Sequence, residues 1–304
     1  MGTPAGSAPR VIGLAIDEGS PSRALAAAEA FLLARRAGDP AVEAAAREAL
    51  HDAAGPDAAM TPEGRAALAL AGMVERHGTS FAPGREPAYH DRHHQAEAIL
   101  AMGWLAGAAR RLGLLDARGA ARAVAAMAGH DLLHDGSVGG ARGQLERRSA
   151  AATDEVAASC GVDVHGRTEI GRIILGTTWP WEEAEAPDLA CRLAREADLF
   201  ASTLPALGIP LARRLARELA AAGQPDAAAV ASHAARIALL RTLPPPTDAA
   251  HALGLDAARD TQLAAYAAVA KRLGASSAEA AAAALDAMDE ADAAALLAHA
   301  ERSE

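Results

Sequence analysis

Few of the side chains that staple a fold or build an aromatic core are present in this 304-residue chain. Cysteine occurs only as Cys160 and Cys191, and neither has a partner at metal-ligand spacing. That excludes a disulfide framework or a zinc ribbon, and points to two reduced thiols of a cytoplasmic protein. Aromatic residues make up 3% of the chain, and Lys271 is its only lysine, every other basic residue being arginine. A bias that strong, of the kind a GC-rich genome produces, takes functional weight from any single arginine. No run of 18 apolar residues is free of charge, so no membrane helix is expected. Met1 to Arg10 lacks a basic stretch followed by an apolar block, so no signal peptide is expected either. Strand-like alternation and repeats of fixed period are also missing. A net charge of −10 argues against a nucleic-acid polymer as partner, because displacing phosphate counterions needs a basic face. It leaves room for a small phosphate ester.

What is present is a chain 51% hydrophobic and 22% charged, the balance of a globular protein, with helical periodicity almost throughout. The expected fold is all-α, a multi-helix domain over 1–304 with its functional site in a central pocket. Residues 1–22 read as an extended start, 23–84 as N-terminal helices, 85–205 as the core and 206–304 as alanine-rich C-terminal helices. Asp39-Pro40 reads as a helix start with Pro in the first turn. Further helices are expected from Asp91 to Leu112, from Asp116 to near His134, from Leu145 to Ser159, from Thr168 to Thr177, and from Pro187 through Asp198. Asp135 to Gly143 holds four glycines and reads as a loop. Ser276 with Glu279 reads as a capping box.

Five of the eleven histidines fall between positions 90 and 134. On a helix His90 and His94 share a face, and His134 follows His130 by one turn. Imidazole and carboxylate suit a divalent transition metal, and helices bring such ligands inward from distant positions. His90 and His94, then His130-Asp131 and His134, then Asp198 form an ordered series. A lone His-Asp pair on a helix is usually a surface feature; the series is not.

Tyr89-His90-Asp91-Arg92-His93-His94, Gly129 to Gly136, Leu145-Glu146, Ile174 to Thr177 and Ala197-Asp198-Leu199 stand in the order of the HD superfamily of metal-dependent phosphohydrolases. Within it, the chain resembles the catalytic domain of class I cyclic-nucleotide phosphodiesterases, over about Tyr89 to Ser202. The resemblance implies that His94, His130, Asp131 and Asp198 hold a first ion, zinc or else iron or manganese. Asp131 bridges to a second, magnesium or manganese. It makes His90 the general acid and His134 a histidine facing the phosphate. Glu146 and Thr177 match groups that hold waters of the second ion. The implied activity is hydrolysis of a small phosphate ester or cyclic nucleotide, by a hydroxide shared between the ions.

Departures concern substrate more than metal. Asp91 replaces the family's Asn, Asp135 its Pro, and Arg147-Arg148-Ser149 follow Leu145-Glu146 where histidine is usual. The purine clamp has no counterpart: no Phe or Trp follows Phe200, and Gln262 and Tyr266 align with nothing. Trp179 and Trp181 read equally as a wall for a flat substrate or as a plug over helix ends. Arg148 reads as a phosphate contact or a solvated residue, and Glu146 also as an ordinary first-turn acid. Two other functions stay open, an HD-type di-iron oxygenase, for which His165 is the only histidine between His134 and Asp198, and a metal-stabilised binding protein without turnover. A homodimer is also open. His93 reads as surface or supporting; His51, His77, His165, His233, His251 and His299 read as exposed or capping.

Overall fold

The computed structural model describes residues 8–138, 140–181 and 187–301, with side chains from Ile12 to Ala300. Fifteen α-helices and no strands occur among the described residues. The first five are α1 (Ala8–Asp17), α2 (Pro21–Arg36), α3 (Val42–Ala54), α4 (Pro62–Ser80) and α5 (Arg92–Arg111). Next come α6 (Ala117–Gly129), α7 (Gln144–Ser159), α8 (Val164–Gly176), α9 (Leu189–Thr203) and α10 (Pro205–Ala221). The last are α11 (His233–Thr242), α12 (Asp248–Ala252), α13 (Leu255–Leu273), α14 (Ala278–Asp286) and α15 (Glu290–Glu301).

Helix α5 is the axis. Every residue from His94 to Ala109 is buried. A helix apolar all round must be enclosed by others, and α3, α6 and α9 surround it. Small residues let them come close. A Cβ at Gly103 would stand 2.5 Å from the Ala49 Cα, so α3 and α5 meet backbone to backbone there. One aromatic group, Phe31, Trp104 and Phe200, fills the space between α2, α5 and α9.

Four of the helices start in the same way. Asp91, Asp116, Asp163 and Asp188 cap α5, α6, α8 and α9, each carboxylate accepting the main-chain N–H three residues on. This satisfies donors that the helix cannot, and favours negative charge at the positive end of the dipole.

Several expected boundaries move. The start is helical from Ala8 rather than extended. Pro40 lies before α3, which opens at Val42 after Ala41 turns through a left-handed conformation (φ +46°). Helix α8 begins at Val164, four residues before Thr168. Ser277, not Ser276, caps α14, and Glu279 pairs with Arg241 instead of closing a box. The largest change is at α6, which stops at Gly129; the chain then turns tightly, with Leu133 at φ +64°. His130 and His134 therefore do not share a helical face.

A second apolar cluster, with Ile237, Tyr266, Val269 and Leu285, joins α11, α13, α14 and α15. Buried Arg236 ties this region to α9. Its guanidinium donates to the Ser202, Thr203 and Leu204 carbonyls and to Gln262, whose amide also donates to Thr203 O. Gln262 is thus engaged in closing a helix end. Tyr266 is engaged too, by His233, which is buried rather than exposed.

Candidate metal centre

Three helix segments converge at one end of α5. His94 lies in the first turn of α5, its backbone N–H capped by Asp91 at 2.9 Å. His130 and Asp131 follow the last residue of α6, and Asp198 comes from the middle of α9. His94 Nε2 stands 3.2 Å from Asp198 Oδ1 and 3.5 Å from Asp131 Oδ2. His130 Nε2 stands 3.3 Å from Asp131 Oδ2 and 3.5 Å from Asp198 Oδ1. Each ring nitrogen faces both carboxylates.

Both Nε2 atoms are buried and neither makes a hydrogen bond. An unmatched polar atom in the interior costs about 1–3 kcal/mol, so two together demand a partner. The His130 tautomer is set from behind, because its Nδ1 donates to the Met127 carbonyl at 2.8 Å and leaves the Nε2 lone pair toward the carboxylates. Donors about 2.0–2.2 Å from one cation stand about 3.0–3.5 Å from each other, which is the spacing found. Among the described residues, His94, His130 and Asp198 form one of three groups with ligand atoms close enough to hold an ion, and Asp131 reaches the same two nitrogens.

Electrostatics agree. Burial opposes charge on His94, but Asp131 and Asp198 outweigh it and raise its pKa to about 9. His130 is raised well above its ordinary value by the same balance. Burial would raise Asp131 and Asp198, yet the two imidazoles hold both below the usual carboxylate range. The cluster is a pair of anions that seeks positive charge.

His90 and His134 form a second arrangement beside the first. His90 precedes α5 rather than riding on it, though its ring still lies 5.5 Å from that of His94. Its Nδ1 bonds Glu218 Oε1 at 2.5 Å, and the other carboxylate oxygen accepts the Tyr89 and His90 backbone N–H groups at 2.7 and 3.0 Å. Those bonds and the imidazole overcome the effect of burial and hold Glu218 down at about 2. The turn at Leu133 stacks His134 on His90, with ring centroids 4.1 Å apart and planes at 22°. His134 Nδ1 accepts the Gly136 N–H at 3.0 Å, so its proton sits on Nε2. Burial, then the charge of His90, lowers its pKa and keeps it a neutral donor. His90, His134 and Glu218 also lie within ligand reach of one another. Near-parallel stacked rings keep their lone pairs in separate planes, however, and one ion cannot lie in both.

Other expected residues fall outside these arrangements. Thr177 is buried and bonds the Ile174 carbonyl of its own helix at 2.8 Å. Glu146 is half-buried and makes no hydrogen bond or ion pair among the described residues. Arg148 is exposed. Trp179 is 53% exposed and edges against Trp181, which lies beneath the Arg195 guanidinium. Trp181 lines a cavity of about 750 Å³ with Arg192, Glu196, Leu199 and Thr203. Those α9 residues lie roughly 120° around the helix from Asp198, and none of His90, His94, His130, Asp131, His134 or Asp198 lines the cavity. A much smaller cleft does reach His90, Asp131 and His134, walled by Phe81, Pro87, Gln95 and Leu133. His165 is exposed and pairs with Glu169 on the surface of α8.

Sequence reasoning missed Glu218, a glutamate inside an ordinary helix 128 residues from His90 with no local signal. It missed His77 too, whose Nε2 bonds the His134 carbonyl at 3.1 Å. Comparisons with protein-family models, curated proteins and solved structures return no match.

Proposed function

We propose that this chain is a metal-dependent phosphoric ester hydrolase of HD type, with His94, His130, Asp131 and Asp198 as ligands and His90 as general acid. One observation carries the reading: two buried imidazole nitrogens without hydrogen bonds, each 3.2–3.5 Å from the same two carboxylates. A divalent ion held there would supply a Lewis acid and would lower the pKa of a water enough to give a hydroxide nucleophile near neutral pH.

The chain's own residues supply the rest. His94 and His130 would offer lone pairs, Asp131 and Asp198 would balance the cationic charge, and Asp131 would also be available to a second ion. His134 donates from Nε2 to a phosphate oxygen, a role suited to a ring kept neutral. His90 gives Nδ1–H to Glu218, which leaves Nε2 to pass a proton to the departing alkoxide. An alkoxide is a poor leaving group, and such help is worth about 10²–10⁴ in rate. The proposed substrate is a small phosphate ester; Gln262 and Tyr266 are both engaged within the fold, so they offer no purine clamp.

The test is the leaving group. His90→Ala is expected to keep its metal and to lose far more turnover on cyclic AMP, which expels an alkoxide, than on bis-(p-nitrophenyl) phosphate, whose phenolate leaves unaided. Equal losses on both esters would remove His90 from the acid role.

A further inference from the structure

His90 is not held by a helix. It stands in the turn before α5, so its direction depends on what grips residues 88–91. Helix α10 grips all four. Glu218 accepts the Tyr89 and His90 N–H groups. One turn earlier on the same helix, Arg214 Nη1 donates to the Ala88 carbonyl at 3.3 Å and to Asp91 Oδ2 at 3.0 Å. Asp91 is buried, and its other oxygen caps α5 at His94 N–H. Two helix residues four apart thus hold both ends and the middle of the turn that carries His90.

Among the described residues, the hydrogen bonds and ion pair of Arg214 go to Ala88 and Asp91, not to the His90 ring or the four proposed ligands. Its partner is a carboxylate where an asparagine would cap α5 equally well. A buried Asp at this place costs more than Asn unless a cation answers it. We infer that Arg214 is a positioning residue for His90 that acts through Asp91, the pair locking the turn against α10. The inference rests on the reading of His90 as the acid.

The test is a double-mutant cycle on the full chain with R214A, D91N and the double variant, read in two ways. The first is hydrogen exchange at the Tyr89 and His90 amides. R214A is expected to speed it about tenfold or more while the interior of α5 keeps its protection. In the D91N background the same substitution is expected to have a clearly smaller effect, that of the Ala88 contact alone. The second is turnover of cyclic AMP. R214A is expected to lower kcat about 10- to 100-fold, with KM within about twofold and metal content unchanged. A merely structural arginine would lower melting temperature without this local exchange or this split between kcat and KM. Unchanged exchange in R214A overturns the inference, as does equal acceleration in the wild-type and D91N backgrounds. Both leave the hydrolase reading standing if His90→Ala still impairs turnover. A chain that keeps the exchange cycle but hydrolyses neither cyclic AMP nor bis-(p-nitrophenyl) phosphate overturns the role of His90, and that of Arg214 with it.

Discussion

Two histidine pairs lie side by side and are held in opposite ways. His94 and His130 are buried, and their Nε2 atoms face Asp131 and Asp198 without a hydrogen bond. His90 and His134 are half-buried and stacked, and each has its Nδ1 engaged, one by Glu218 and the other by the Gly136 N–H. The first pair stands with two carboxylates in a cluster that could hold a metal ion. The second lines a small cleft beside it. The same residue type in nearby positions acquires two chemistries because the groups behind each ring differ.

The sharpest break should come in the first pair. Asp198→Asn or Asp131→Ala is expected to lose the bound ion and, with it, turnover down to background, read by elemental analysis and ester hydrolysis together. A variant that keeps its ion would show that the two carboxylates are not ligands. Next in size is His90→Ala, with metal retained and turnover of an alkyl ester down about 10²–10⁴. Glu218→Gln keeps the shape of the side chain but loses the charge behind His90. It is expected to leave metal content alone and lower turnover about tenfold to hundredfold, an effect between those of structural support and the acid itself.

The smallest effect lies away from the site, at two half-buried carboxylates. On α3, burial raises Glu48 to about 7 and Asp52 to about 6, with Arg35 and His51 respectively offsetting it in part. An acid raised in the folded state binds more protons there than in the unfolded chain, whose carboxylates titrate near about 4. Stability carried by this pair is therefore lost as pH rises from about 4 through 7. Glu48→Gln is expected to flatten the fall in urea midpoint between about pH 5 and pH 8. An unchanged slope would mean that Glu48 titrates as an exposed acid. Asp131 and Asp198 are shifted the other way, because each faces two imidazole nitrogens at 3.2–3.5 Å.

Much of this was legible in the sequence, for physical reasons that can be named. Asp91 and Asp116 announce α5 and α6 because a short acceptor before an apolar helix caps it, and Pro187 marks the approach to α9, which Asp188 caps. The four proposed ligands stand out because they form an ordered series rather than one pair. The end of α6 is hidden because the apolar pattern runs on through Leu132 and Leu133, and nothing local shows that Leu133 turns left-handed. Glu218 and Arg214 are invisible because their contacts span 123 to 129 residues, and a charged residue on a helix carries no mark of what it will meet. The helix at Ala8–Asp17 is masked by the glycine and proline just before it.

The most direct test of the central claim is the metal content of the purified protein, measured by elemental analysis with Asp198→Asn as the control. The expected result is about one or two tightly bound divalent ions per chain, lost in the variant. A wild-type chain that takes up no ion even after reconstitution would contradict it.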